Sequence, residues 1–175
     1  MRAYWSEARD LLEVLAYKCK DTDMDGIDLM FTCKDVELRS TSKVSKLLEA
    51  MQQPDARPRP GMETDIVEAL DRVFRRYSSI NAKPAGKYRT IRSVFQPARE
   101  RSRFMTIIIF TDGVWSLSPP LGEIERFLAN SIRTVARLGA SRRSVTIQFI
   151  RFGDESEAIK RLQILDKELS NLGSP

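Results

Sequence analysis

The stretch Phe104-Met-Thr-Ile-Ile-Ile-Phe110, followed directly by Thr111-Asp112-Gly113-Val114-Trp115, decides the fold of this chain. Its apolar residues are largely β-branched or aromatic and do not alternate with polar ones, which predicts a strand buried on both faces, as in a parallel sheet. An acidic residue and a glycine follow where this strand leaves the sheet. Because ligands bind at the carboxyl ends of strands in open α/β sheets, Asp112 is a candidate binding residue.

The composition is that of a single globular domain. The chain has 175 residues, of which 42% are hydrophobic and 30% charged. No apolar stretch reaches the roughly 18–20 residues of a membrane span, and the amino terminus lacks the apolar core of a signal peptide. We therefore expect an intracellular, cytoplasmic protein without a membrane span. Cys19 and Cys33 are interpreted as reduced thiols, although a disulfide between them stays open.

Histidine is absent from the chain. This removes the Ser-His and Cys-His schemes of nucleophilic catalysis and the usual zinc ligand. Catalysis by other groups needs no histidine, but we expect a protein that is not an enzyme. The alternative is a phosphate-handling hydrolase on a similar sheet, but neither a Gly-x-x-x-x-Gly-Lys loop nor a well-placed Asp-x-Asp pair is present.

A long basic connection is predicted over residues 79–103. Between Lys83 and Arg103 seven Lys or Arg residues stand against one Glu, within a formal net charge of +5. A second alternative is therefore a binder of nucleic acid or acidic surfaces through residues 83–103. We do not expect nucleic acid, because Tyr88 and Phe95 are the only aromatic residues there and no recognised motif is present.

Strands and helices alternate along the chain, which predicts a doubly wound α/β domain with a mostly parallel sheet flanked by helices. The periodicity places helices at 4–19, 42–51 (capped by Ser42), 64–77, 122–138 and 155–171, and strands at 27–31, 36–38, 104–110 and 144–152.

The segment Gly61-Met-Glu-Thr-Asp65 opens the helix that starts near residue 64. Thr64 can be explained as a helix cap, with Asp65 favourable to the helix dipole. Alternatively, the Thr64 hydroxyl and the Asp112 carboxylate meet at one edge of the sheet. Hydroxyl, carboxylate and water oxygens are the ligands that magnesium accepts.

Five segments in this order resemble a von Willebrand factor A domain, over nearly the whole chain, and most closely the stand-alone intracellular kind. The resemblance implies a Rossmann-like sheet and a divalent cation at a metal-ion-dependent adhesion site, completed by an acidic group of a partner. It implies Thr64 and Asp112 as metal ligands. The segments are Trp5-Ser-Glu-Ala-Arg9, Asp25-Gly-Ile-Asp-Leu-Met-Phe31, Gly61-Met-Glu-Thr-Asp65, Ile108-Ile-Phe-Thr-Asp-Gly-Val-Trp115 and Val145-Thr-Ile-Gln-Phe-Ile-Arg-Phe-Gly-Asp154.

The chain departs from that family at its first strand, which would carry an Asp-x-Ser-x-Ser motif between the strands at 27–31 and 104–110. Met1 falls just after the expected position of this motif, and the carboxyl end is also shorter than the family's. Without that strand the two flanking strands must pair directly or leave backbone groups unpaired, at about 1–3 kcal/mol for each buried group. We therefore expect a partial domain, residues 1–175, whose magnesium site is weak or absent. The function expected from the resemblance is non-enzymatic binding of an unknown protein partner.

Overall fold

The computed structural model describes residues 1–21, 26–32, 37–59, 61, 64–81, 105–115, 120–137 and 145–173. Within these ranges the chain is a mixed α/β protein that opens with a 3-10 turn. The turn is Arg2–Tyr4; the helices are α1 (Trp5–Cys19), α2 (Val44–Gln52), α3 (Ile66–Asn81), α4 (Leu121–Arg137) and α5 (Ser156–Gly173), and the strands are β1 (Ile27–Met30), β2 (Glu37–Thr41), β3 (Met105–Thr111) and β4 (Val145–Arg151).

The strands described form two separate two-stranded sheets. β3 and β4 are parallel and stay in register from Met105↔Val145 to Thr111↔Arg151. β1 and β2 are antiparallel, and their register shifts between Ile27 and Leu29. The α/β class is thus confirmed, whereas the strands of the described ranges do not join into the one continuous sheet that was predicted. β1 and β3 do not pair with each other there.

β3 is less buried than its sequence predicts. Thr111 is its only buried residue, Thr106 is exposed, and the others are half-buried. The prediction of a strand buried on both faces is therefore confirmed only in part for residues 105–111, because each face packs on an apolar core while most of the side chains stay half-buried. The physical reason is that β3 hydrogen-bonds to β4 along one edge only among the described strands, so a second strand does not shield its other edge.

The parallel pair lies between two apolar cores. One face packs against α3, α4 and α5, and we call this the parallel-pair core. The predicted alternation in β4 is confirmed, because Val145, Ile147 and Phe149 all lie on this face. The opposite face packs against the α1–α2 core through Phe110, Ile150 and Phe152. Fully buried side chains fill both cores, among them Leu47, Ile124, Leu128, Val135 and Leu165.

Two predicted helix ends are wrong. Residue 43, not Ser42, is the cap of α2, and its side chain makes no capping hydrogen bond. α3 continues to Asn81, so the first residues of the predicted 79–103 connection are helical. Cys33 and residues 83–103 lie outside the described residues. Among the helices that the structure describes, none combines the length and apolar character needed to cross a bilayer.

Candidate binding site at the carboxyl end of the third strand

The loop after β3 is held in shape by a buried threonine. Thr111 is only 4% exposed, and its hydroxyl oxygen accepts hydrogen bonds from the Gly113 backbone N–H and the Trp115 indole N–H, both at 2.9 Å. A buried hydroxyl that satisfies two donors fixes the loop that they belong to. Asp112 is therefore presented at the carboxyl end of β3 by a turn with little freedom to move.

The first turn of α5 packs closely on the same loop. Gly113 has φ +75°, and a Cβ added there would lie 2.5 Å from the Ala158 Cβ. Arg161 donates a hydrogen bond to the Gly113 carbonyl at 2.6 Å, and its guanidinium lies 5.5 Å from the centre of the Trp115 ring. The loop therefore needs glycine at 113 for both its backbone angle and its clearance. Sequence reasoning missed Ala158 and Arg161, because only the packing of α5 brings them here.

The Asp112 carboxylate, whose side chain is 25% exposed, has a partner at each oxygen. Its Oδ1 accepts a hydrogen bond from the Val114 backbone N–H at 3.2 Å. Its Oδ2 forms an ion pair with the amino group of Met1. Burial lowers the pKa of the Met1 amine from its ordinary value, because desolvation disfavours the charged form. Nothing in the residue pattern pointed to this contact, which joins two distant parts of the chain.

Thr64 reaches the same loop from the other side. Its hydroxyl donates a hydrogen bond to the Val114 carbonyl at 3.4 Å, two residues beyond Asp112. The capping role falls to Asp65, whose Oδ1 accepts from the backbone N–H groups of Val67 (2.8 Å) and Glu68 (3.3 Å). The explanation of Thr64 as the helix cap is therefore wrong. We call the surface formed by Thr64, Asp112 and Val114 the β3 rim.

The β3 rim offers few ligands for a magnesium ion. Magnesium needs nearly octahedral oxygen coordination and is held by one or two carboxylates with waters or phosphates. Asp112 supplies one carboxylate, and its Oδ2 is already paired with the Met1 amine. No group of three or more His, Cys, Asp or Glu residues suited to a metal is found in the described part of the chain.

Comparison with known proteins gave no match to a family model, to a curated protein or to a solved structure. The likeness to a von Willebrand factor A domain therefore depends on the sequence segments quoted above.

Proposed function

We propose that this protein is a non-enzymatic protein-interaction module of the von Willebrand A type, which binds its partner at the β3 rim. The observation that carries the proposal is the Asp112 carboxylate. It is held rigidly at the end of a parallel strand, partly exposed, and engaged by a positively charged group. The end of a strand in an α/β sheet is the usual place for a ligand.

The side chains beside Asp112 suit a protein surface. Val114 is 57% exposed, and the Thr64 hydroxyl donates a hydrogen bond to the Val114 carbonyl. In a protein–protein interface, apolar contacts contribute affinity, and a charged residue at the edge of the interface helps to orient the partner. The rim thus offers an apolar contact, a hydroxyl and a carboxylate within a few residues.

The cation at Asp112 also suggests the chemistry of the partner. An ammonium already satisfies this carboxylate, so a lysine or arginine of the partner can replace the Met1 amine without a change in charge. In the resemblance-based version of the proposal, magnesium takes that place and an acidic group of the partner completes its coordination. The two versions differ in their response to a chelator.

The test is quantitative partner capture on the purified chain, with any tag at the carboxyl end so that the Met1 amine stays free. Asp112→Asn removes the charge but keeps an oxygen for the Val114 N–H, and Thr64→Val removes the hydroxyl. Asp166→Asn, an exposed acid in the second half of α5, is the matched control. Some proteins should be retained equally by the wild type and the control. We expect the retained amount of these proteins to be about tenfold or more lower with Asp112→Asn, as for loss of a charged contact.

Capture that resists the chelator supports a basic group of the partner, and capture that a chelator abolishes supports the magnesium version. Retention that is the same for the wild type, Asp112→Asn and Thr64→Val would overturn the proposal. Circular dichroism of each variant establishes that the fold is intact.

A further inference from the structure

A second feature lies where the amino terminus of α1 meets the segment after α2. A cavity of about 430 Å³ opens there. Four arginines line it, and the described residues that line it include no acid. We call it the arginine pocket, and its arginines are Arg2, Arg9, Arg57 and Arg59.

The charge of the arginine pocket is largely uncompensated. Arg59 pairs with Asp55 at 2.8 Å, and both side chains are more than half exposed. The Nε of Arg9 is buried and makes no hydrogen bond within the described structure. Guanidinium groups stay protonated at any physiological pH, so four positive charges stand against one negative charge. Like charges held together destabilise a folded chain unless an anion binds between them.

Contacts around the pocket hold its backbone in place. The Trp5 indole N–H donates to the Met51 carbonyl at 3.1 Å, which ties the start of α1 to the end of α2. The Trp5 ring also packs on Phe31, with ring centres 5.9 Å apart. In the segment after α2, Ala56 is fully buried and its N–H donates to the Gln53 carbonyl at 3.0 Å. A backbone that is already held in place loses less entropy on binding, although most of the arginine side chains themselves are exposed.

We propose that the arginine pocket binds a small polyphosphate-bearing ligand. A guanidinium group donates two parallel hydrogen bonds to a pair of phosphate oxygens. A carboxylate has one such pair of oxygens, whereas a polyphosphate has several and can accept from several arginines. The net excess of three positive charges suits a ligand with several phosphate charges, and the volume is within the range of about 300–1,000 Å³ of small-molecule sites. Trp5 and Ser6 line the same cavity at the positive end of the α1 dipole, which also favours an anion.

The experiment is isothermal titration calorimetry of the full chain with tripolyphosphate, with adenosine triphosphate and with inositol hexakisphosphate. Arg2→Gln combined with Arg57→Gln removes two exposed charges from the pocket. Arg126→Gln combined with Arg133→Gln removes the same charge from exposed sites on α4 and is the control. We expect the pocket variant to weaken binding by about tenfold or more and the control by less than about twofold.

The three probes distinguish the source of the phosphates. Tighter binding of adenosine triphosphate than of tripolyphosphate indicates a nucleotide in contact with Trp5, whereas tightest binding of the inositol compound indicates a phosphorylated sugar alcohol. Equal weakening by the two double variants would mean attraction to net charge alone and would overturn the proposal. So would the absence of binding to all three probes, or binding confined to a single-stranded oligonucleotide.

Discussion

The two small sheets in the described part of the chain differ in their regularity and in their charged contacts. The parallel pair β3–β4 has seven residues in each strand, an unbroken register and an apolar core on each side. The antiparallel pair β1–β2 is shorter, irregular, and joined to α3 by charges: Arg76 lies 3.0 Å from Asp28 and 2.9 Å from Glu37. The comparison teaches that apolar packing holds both sheets, since Ile27, Leu29 and Leu38 pack against the α1–α2 core, and that the β1–β2 sheet adds ion pairs to α3 at its surface.

The largest expected effect tests whether the two cores unfold together. Leu165 in the parallel-pair core and Leu47 in the α1–α2 core are both fully buried. Replacing either by alanine should lower the free energy of unfolding by about 2–5 kcal/mol, through lost apolar burial and a residual cavity. Because β3 and β4 present one face to each core, we expect a single urea transition for both variants. Two resolved transitions for Leu47→Ala would show that the β1–β2 side unfolds by itself.

A second comparison uses glycines with positive φ, of which Gly113 after β3 and Gly26 before β1 lie in crowded places. A Cβ at Gly113 would lie 2.5 Å from the Ala158 Cβ, and a Cβ at Gly26 would lie 2.8 Å from the Ser40 carbonyl carbon. Gly61 has a similar φ but open space around it. Alanine at each of the three positions should lower the free energy of unfolding by about 1–2 kcal/mol, because of the strained backbone angle. At Gly113 and Gly26 the steric clash should lower it by about 1–3 kcal/mol more.

Thermal unfolding of the three alanine variants measures this difference. A Gly61→Ala protein as unstable as Gly113→Ala would contradict the packing described for the loop after β3.

The smallest expected effect concerns the charged attachment of β2. Hydrogen bonding from Arg39 lowers the pKa of Glu37 from its ordinary value of 4.5, with further attraction from Arg39 and Arg76. A carboxyl group whose pKa is lower in the folded state stabilises the fold at any pH above its pKa in the unfolded state. This stabilisation is lost as the pH falls through its pKa in the folded state. Glu37→Gln should therefore cost about 0.5–1 kcal/mol at pH 7, since the group is partly screened by water. As the pH falls below 4.5 and through the lowered pKa of folded Glu37, the stabilities of the variant and the wild type should converge.

Chemical denaturation at pH 7 and in the acid range, each at low and high salt, measures this loss. The loss at pH 7 should shrink with salt. A difference that persists unchanged in acid and in high salt would mean that Glu37 acts through packing.

Much of this architecture could be predicted from periodicity. The strand predicted at 104–110 is found at Met105–Thr111, and the strand predicted at 144–152 is found at Val145–Arg151. The burial of β3 could not be predicted, because composition reports how apolar a strand is and not how many neighbours it pairs with. The cap at Asp65 was missed since Thr and Asp are both good caps, and only geometry decides between adjacent candidates.

The candidate site was predictable in its residues but not in its contacts. A threonine before a helix and an aspartate after an apolar strand are visible in the sequence. The ion pair of the Met1 amine with Asp112 depends on how the 3-10 turn and α1 pack beside β3, and no local pattern encodes that. The same is true of the Arg161 hydrogen bond, which comes from a helix that begins more than forty residues after the loop.

The most direct test of the β3 rim is a comparison of amide and methyl signals by two-dimensional NMR between the wild type and Asp112→Asn. If Thr64, Asp112 and Met1 share one surface, the substitution shifts the signals of Met1, Thr64 and Val114, and a nuclear Overhauser effect joins the Thr64 side chain to the backbone at Val114. Unchanged Thr64 and Met1 signals, without that Overhauser effect, would contradict the account.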